Sequence, residues 1–188
     1  MNDRMPPLAP EAMSEEQRAA AAELAAGPRG GVRGPFVPLL RSPELMRRLQ
    51  KVGEYLRYES ALERRLGEFA MLIVSRQLTQ QFEWQVHYPL AISAGLAKET
   101  ADALARGARP RAMREDEAAV YDFCSELLHV HGVSEDAYGA ALAHLGERGV
   151  VDLIGLVGYF ITVSLVLNAA HTPAVPRPGV EPLEPFPS

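Results

Sequence analysis

Glu68-Phe-Ala-Met-Leu-Ile-Val-Ser-Arg-Gln-Leu-Thr-Gln80-Gln-Phe-Glu83-Trp-Gln-Val-His87-Tyr88 is the stretch whose reading decides the fold. Leu62, Leu66, Phe69, Ala70 and Ile73 recur at helical spacing, which predicts a helix from about Ala61 to Leu78. Its segment Phe69–Val74 is apolar on every side, the pattern of a helix surrounded by protein. Thr79 is the expected cap of a following helix from about Gln80 to Ser93, ending before Gly95. On that helix Glu83 and His87 are four apart and share a face, with Gln80 one turn earlier. Trp84 and Tyr88 form an adjacent aromatic pair. Glu68 stands directly before the apolar core, and a carboxylate there needs a partner or its pKa rises. His87 is the first candidate; Arg65, Arg76 or a backbone group are the others.

Proline maps the rest of the chain. Of 15 prolines, seven lie at or before Pro43, six lie after His171, and only Pro89 and Pro110 fall between. Proline removes a backbone donor and clashes inside helices, so the middle is the segment free to be helical. Ser42-Pro43 marks a helix start, with Leu45, Leu49, Val52 and Leu56 expected on its buried face. Further helices are expected from about Lys98 to Arg106, Glu115 to His131, Ser134 to Leu145 and Val150 to Ala170. Ser14–Ala26 opens with a capping-box pattern, Ser-Glu-Glu-Gln. No run alternates as a strand does. The expected class is all-α, a bundle of about seven or eight helices. Residues 1–41 read as a helix and loop, 42–171 as the folded domain and 172–188 as a proline-rich arm, either disordered or laid on a neighbouring subunit.

With 188 residues, 24 Asp+Glu against 19 Lys+Arg and a net charge of −5, nothing marks a nucleic-acid or anionic-membrane partner. One cysteine excludes an intrachain disulfide or a Cys-x-x-Cys redox pair. Cys124 falls on an apolar stripe with Val120, Phe123, Leu127 and Leu128, the position of a core residue. The apolar run Leu153–Leu167 is 15 residues, short of a bilayer span. A cytoplasmic location is the default. His129, His131, His144 and His171 sit near helix ends, where a cation meets the dipole favourably. Their spacing makes no metal site. Gly27-Pro-Arg-Gly-Gly-Val-Arg-Gly-Pro-Phe36 is a flexible basic loop without the ending of a phosphate loop. It is a surface connector unless Arg29 or Arg33 binds a substrate carboxylate.

The pattern Glu-x11-Cys-x2-Cys-x3-His, leading into Ala-x2-Ala/Ser-Gly-Leu, belongs to the carboxymuconolactone decarboxylase family, which includes the alkylhydroperoxidase D type. This chain resembles that family over about residues 42–170. Glu68 and His87 match the family Glu and His, Ala91-Ile-Ser-Ala-Gly-Leu96 matches the segment that follows, and Gln80 and Glu83 occupy the two cysteine positions. Glu83-Trp-x-x-His87 is similar to the non-thiol members. The resemblance implies an alkylhydroperoxidase D-like bundle and homo-oligomers, often trimers or hexamers. It also implies a small-molecule substrate, here an anionic lactone or carbonyl acid, handled without a cofactor. Glu68, Glu83 and His87 are then the expected catalytic groups, with Trp84, Gln80 and Arg33 against the substrate. Peroxide reduction through a thiol pair is disfavoured by the missing cysteines. A binding or oligomerisation scaffold is the non-catalytic alternative.

Overall fold

Twelve of the fourteen residues of one helix, Arg64–Gln77, are buried, from Arg65 through Arg76. That follows from its all-round apolar sequence, and the rest of the chain is arranged about it. The computed structural model describes residues 2–184, which contain eight α-helices and no strand. The all-α expectation is therefore met. The helices are α1 Glu15–Ala26, α2 Phe36–Leu39, α3 Pro43–Tyr58, α4 Arg64–Gln77, α5 Gln81–Ser93, α6 Lys98–Ala105, α7 Glu115–Val130 and α8 Glu135–Ala170. Helices α5, α7 and α8 enclose α4, and Phe69, Leu72, Val120, Phe123, Leu153 and Phe160 fill the core between them. A second cluster, built from Ala20, Leu24, Phe36, Leu39, Leu40 and Met46, joins α1 and α2 to α3.

Charges inside the bundle are paired. The buried Arg65 guanidinium reaches Glu117 at 2.6 Å, Asp116 at 2.5 Å and Glu63 at 2.9 Å, clamping α4 to α7. Burial alone would lower its pKa; the hydrogen bonds to Asp116 and Glu117 raise it further, so the charge is held.

Several boundaries differ from the sequence reading. The buried face of α3 carries Met46, Gly53 and Leu56 with Leu49 half-buried, whereas Leu45 and Val52 are 48% and 47% exposed. The true stripe runs 46, 49, 53, 56, and the glycine at its centre hid it. Ser42 makes no side-chain cap. The cap of α5 is Gln80, not Thr79: its Oε1 accepts from the amides of Phe82 and Glu83, at 2.6 and 3.3 Å. Thr79 supplies the left-handed turn before it, with φ 46°. The two helices expected over 134–170 are both present: α8 is two helical parts joined at a kink where Gly146 leaves the helix, with φ 67° and ψ 172°, a backbone that a side chain disfavours. Asp152 lies in the part of α8 beyond that kink. It accepts from the Tyr55 hydroxyl at 2.9 Å and the Ala61 amide at 2.8 Å, tying the α3–α4 link to α8.

The described part of the C-terminal arm packs on its own chain. Residues 172–184 run along α5 of the same chain, with Val180 and Leu183 in the core; residues 185–188 lie outside the described residues. By length and composition α8 could cross a membrane, and 56% of its most apolar window is buried inside the protein. On its outer side Val151, Ile154 and Leu165 are exposed.

Gly53 controls how closely α8 approaches α3. A Cβ there would lie 2.3 Å from the Tyr159 hydroxyl and 2.8 Å from Nη2 of Arg29. Gly53→Ala should therefore destabilise the fold by about 1–3 kcal/mol, as overpacking does, despite the better helix propensity of alanine. Urea denaturation of the variant measures it.

Candidate active site

Helices α4 and α5 cross where each carries an ionisable group inward. Nδ1 of His87 lies 2.7 Å from Oε2 of Glu68, and its Nε2 lies 3.2 Å from Oε2 of Glu83. All three side chains are buried. The His87 ring also meets the ring of Phe160 edge-on, with centroids 5.2 Å apart. Both imidazole nitrogens thus face carboxylate oxygens, so a protonated ring can donate to each. Burial pushes the His87 pKa down; the hydrogen bonds and charges of Glu68 and Glu83 push it up, and the net direction is up. The geometry favours the cationic form of the ring.

A cavity of about 330 Å³ opens onto Glu83 and His87. That is the size of a small-metabolite site. Glu68 is behind the imidazole, where it orients the ring. Phe82, Val86, Tyr159 and Phe160 form apolar walls. The other side is basic, with Arg29 and Arg33 from the 27–36 loop, Arg57 from α3 and Arg177 from the C-terminal arm. Gly34 lets the loop come down on α5: a Cβ there would lie 2.6 Å from the Phe82 ring, and its φ is +56°. Arg29 stacks on Phe36 at 4.5 Å, and its Nε and Nη2 are buried without a hydrogen-bond partner in the protein.

The structure brings together Glu68, Glu83, His87 and, at the rim, Arg33. It does not bring Gln80 or Trp84 to the cavity. Gln80 is committed to capping α5 and to the Asn168 side chain, to which its Nε2 donates at 2.9 Å. Trp84 is 1% exposed and faces the opposite side, where its Nε1 donates to the Glu181 carbonyl at 3.2 Å. One helical step separates it from the Glu83–His87 face, and its bulk goes to the core. Arg57, Tyr159 and Arg177 were missed, because each arrives from an element distant in sequence. Arg177-Pro178-Gly179 is a turn sequence that pointed to an ordered arm.

Cys124 is fully buried away from the cavity, and burial pushes its thiol up to about 12. His129 bonds the Ser125 carbonyl at 2.7 Å, and His131 and His171 are left-handed helix caps. Among the described residues no group of three or more His, Cys, Asp or Glu side chains is arranged to hold a metal ion.

With this geometry in view, the comparison with known families is specific. Residues 43–126, from α3 into α7, match the model of the Carboxymuconolactone decarboxylase family. No curated protein matches the chain.

The charge arrangement has a direct readout. The His87 titration midpoint, followed by NMR of the ring protons, should lie above the ordinary value of about 6.5. Glu68→Gln should move it downward, since burial then acts against a weaker pair. The stability that the pair contributes is fully present below the unfolded pKa and is lost as pH rises through the raised folded value.

Proposed function

We propose that this carboxymuconolactone decarboxylase-family protein is an enzyme performing His/Glu proton transfer on a small anionic lactone or carbonyl acid. The single observation that carries the reading is the buried Glu68–His87–Glu83 relay facing a small, basic-walled cavity. Decarboxylation is the reaction that suits it best. The bond from the ring carbon to the carboxylate breaks, carbon dioxide leaves, and the electron pair passes into the conjugated carbonyl as a dienolate. A proton from the His87–Glu83 pair then goes to carbon, and solvent restores it. Glu68 holds the ring and balances its charge, the part a carboxylate takes behind any catalytic imidazole. The arginines neutralise the substrate's negative charge and the developing oxyanion. The same groups serve isomerisation or hydrolysis of such lactones, since each needs a proton moved next to a carbonyl.

A thiol-peroxidase reading is less well supported. It would rest on Cys124, whose buried, raised thiol has no route to the cavity.

The protein is also proposed to act as a homo-oligomer. A second copy laid on the outer face of α8 would cover Val151, Ile154 and Leu165. Light scattering behind size exclusion should then show an assembly, and Val151→Asp with Leu165→Asp should reduce it to monomers. A monomeric unaltered chain refutes this part.

Turnover of 4-carboxymuconolactone and related lactone acids, followed by loss of the substrate's absorbance, tests the chemistry. His87→Ala should lower the rate by at least about 100-fold, the lower range for a general acid–base group, with the fold intact by circular dichroism. Cys124→Ser should leave it unchanged. Equal rates for His87→Ala and the unaltered protein would reject the mechanism.

A further inference from the structure

We infer that the C-terminal arm completes the substrate site, with Arg177 binding the substrate carboxylate at the cavity mouth and Gln85 holding it there. The inference rests on the reading of the cavity as a substrate site.

The arm places Arg177 by a defined device. Residues 177–180 form a turn in which the Val180 amide donates to the Arg177 carbonyl at 3.1 Å. Proline at the second position and glycine at the third, with φ +77° at Gly179, are the residues that a type II turn requires. One side-chain amide then grips both ends of this turn. The Arg177 amide donates to Oε1 of Gln85 at 2.7 Å, and Nε2 of Gln85 donates to the Val180 carbonyl at 3.2 Å. Gln85 is itself 3% exposed, so its two bonds are made away from competing water. Gln81, one turn earlier on α5, repeats the grip on Leu183, accepting from its amide at 2.9 Å and donating to its carbonyl at 2.5 Å. The arm is therefore fixed to the same helix that carries Glu83 and His87, and Arg177 keeps register with them.

Arg177 is an exposed residue at the cavity mouth. Among the described residues none of Arg29, Arg33, Arg57 and Arg177 forms an ion pair with a carboxylate, while Arg65 alone has three. Arg177 and Arg33 also line the apolar groove that continues outward from the cavity past Phe82 and Pro89. They thus border the path by which a ligand enters. An organic acid passing this gate meets two planar donor groups able to bind a carboxylate.

The probe is 5-oxotetrahydrofuran-2-carboxylate, a saturated lactone acid that lacks the conjugation needed to lose carbon dioxide, compared with its methyl ester. Calorimetric titration should show that the unaltered protein prefers the acid. Arg177→Ala should weaken acid binding about tenfold, the scale of one charge-assisted hydrogen bond, and leave the ester unaffected. Arg177→Lys should restore part of the preference. Gln85→Met, which frees the turn while Arg177 remains, should reproduce the loss for the acid alone; a general loosening would weaken acid and ester together. His87→Ala should keep the preference, so a failure of the proton chemistry would leave this result standing. An unaltered protein that binds acid and ester equally, or an Arg177→Ala variant with unchanged acid affinity, would overturn the inference.

Discussion

An imidazole enclosed between two carboxylates constrains everything around it. Desolvating His87, Glu68 and Glu83 separately would be costly, and only their mutual contacts at 2.7 and 3.2 Å offset that cost. Those contacts require α4 and α5 to meet at a fixed height and rotation. The height is set by the short link between them, where Thr79 turns left-handed and Gln80 caps the next helix. The rotation is set by what surrounds them: Trp84 points into the core on one side of α5, and Phe160 closes on His87 from α8. A helix as apolar as α4 can hold Glu68 only because the charge is answered one helix away.

The buried ionisable triad and most of the arginines around the cavity come from different parts of the chain. Glu68, Glu83 and His87 all fall within residues 43–126, the segment that matches the family model. Arg29 and Arg33 precede it; Tyr159, Phe160 and Arg177 follow it. Of the cavity's four arginines only Arg57 lies inside. The flanking segments are tied down by local contacts that leave the helical core intact: glycines at 34 and 53 allow close approach, and Gln81 and Gln85 hold the arm. Such a division lets the cavity's basic wall change through a loop and an arm while the Glu68–His87–Glu83 contacts stay as they are.

The sequence exposed the parts whose information is local. Helical period and proline distribution yielded the class and most of the helices, and the i, i+4 spacing placed Glu83 and His87 on one face. The Glu68 contact needed a second helix, so the residues alone left Arg65 and Arg76 open as partners. Arg65 proved to be occupied by Asp116 and Glu117. What was illegible depends on tertiary packing. The buried stripe of α3 runs through a glycine, which no hydrophobic count scores, and Trp84 looks the same in sequence whether it walls a pocket or fills a core. Proline content in the arm signalled an extended chain, but its place on α5 follows from two glutamine side chains that pair with backbone.

Gln80 and Glu83, at the positions that the resemblance assigns to the cysteines of thiol members, are placed by the same helix end. Both lie at the start of α5, where unpaired amides and the helix dipole favour negative charge. A thiolate would benefit from that field, and a carboxylate benefits for the same reason. Glu83, in the first turn, takes the second position and turns its charge toward His87. Gln80 takes the first and uses its carbonyl oxygen to satisfy two of the free amides, a bond that a sulfur atom makes only weakly. The two side chains thus serve one helix end. One places a carboxylate against His87, and the other secures the helix end on which that carboxylate stands. Replacing only one of them would leave either an idle cap or an acid on a frayed turn.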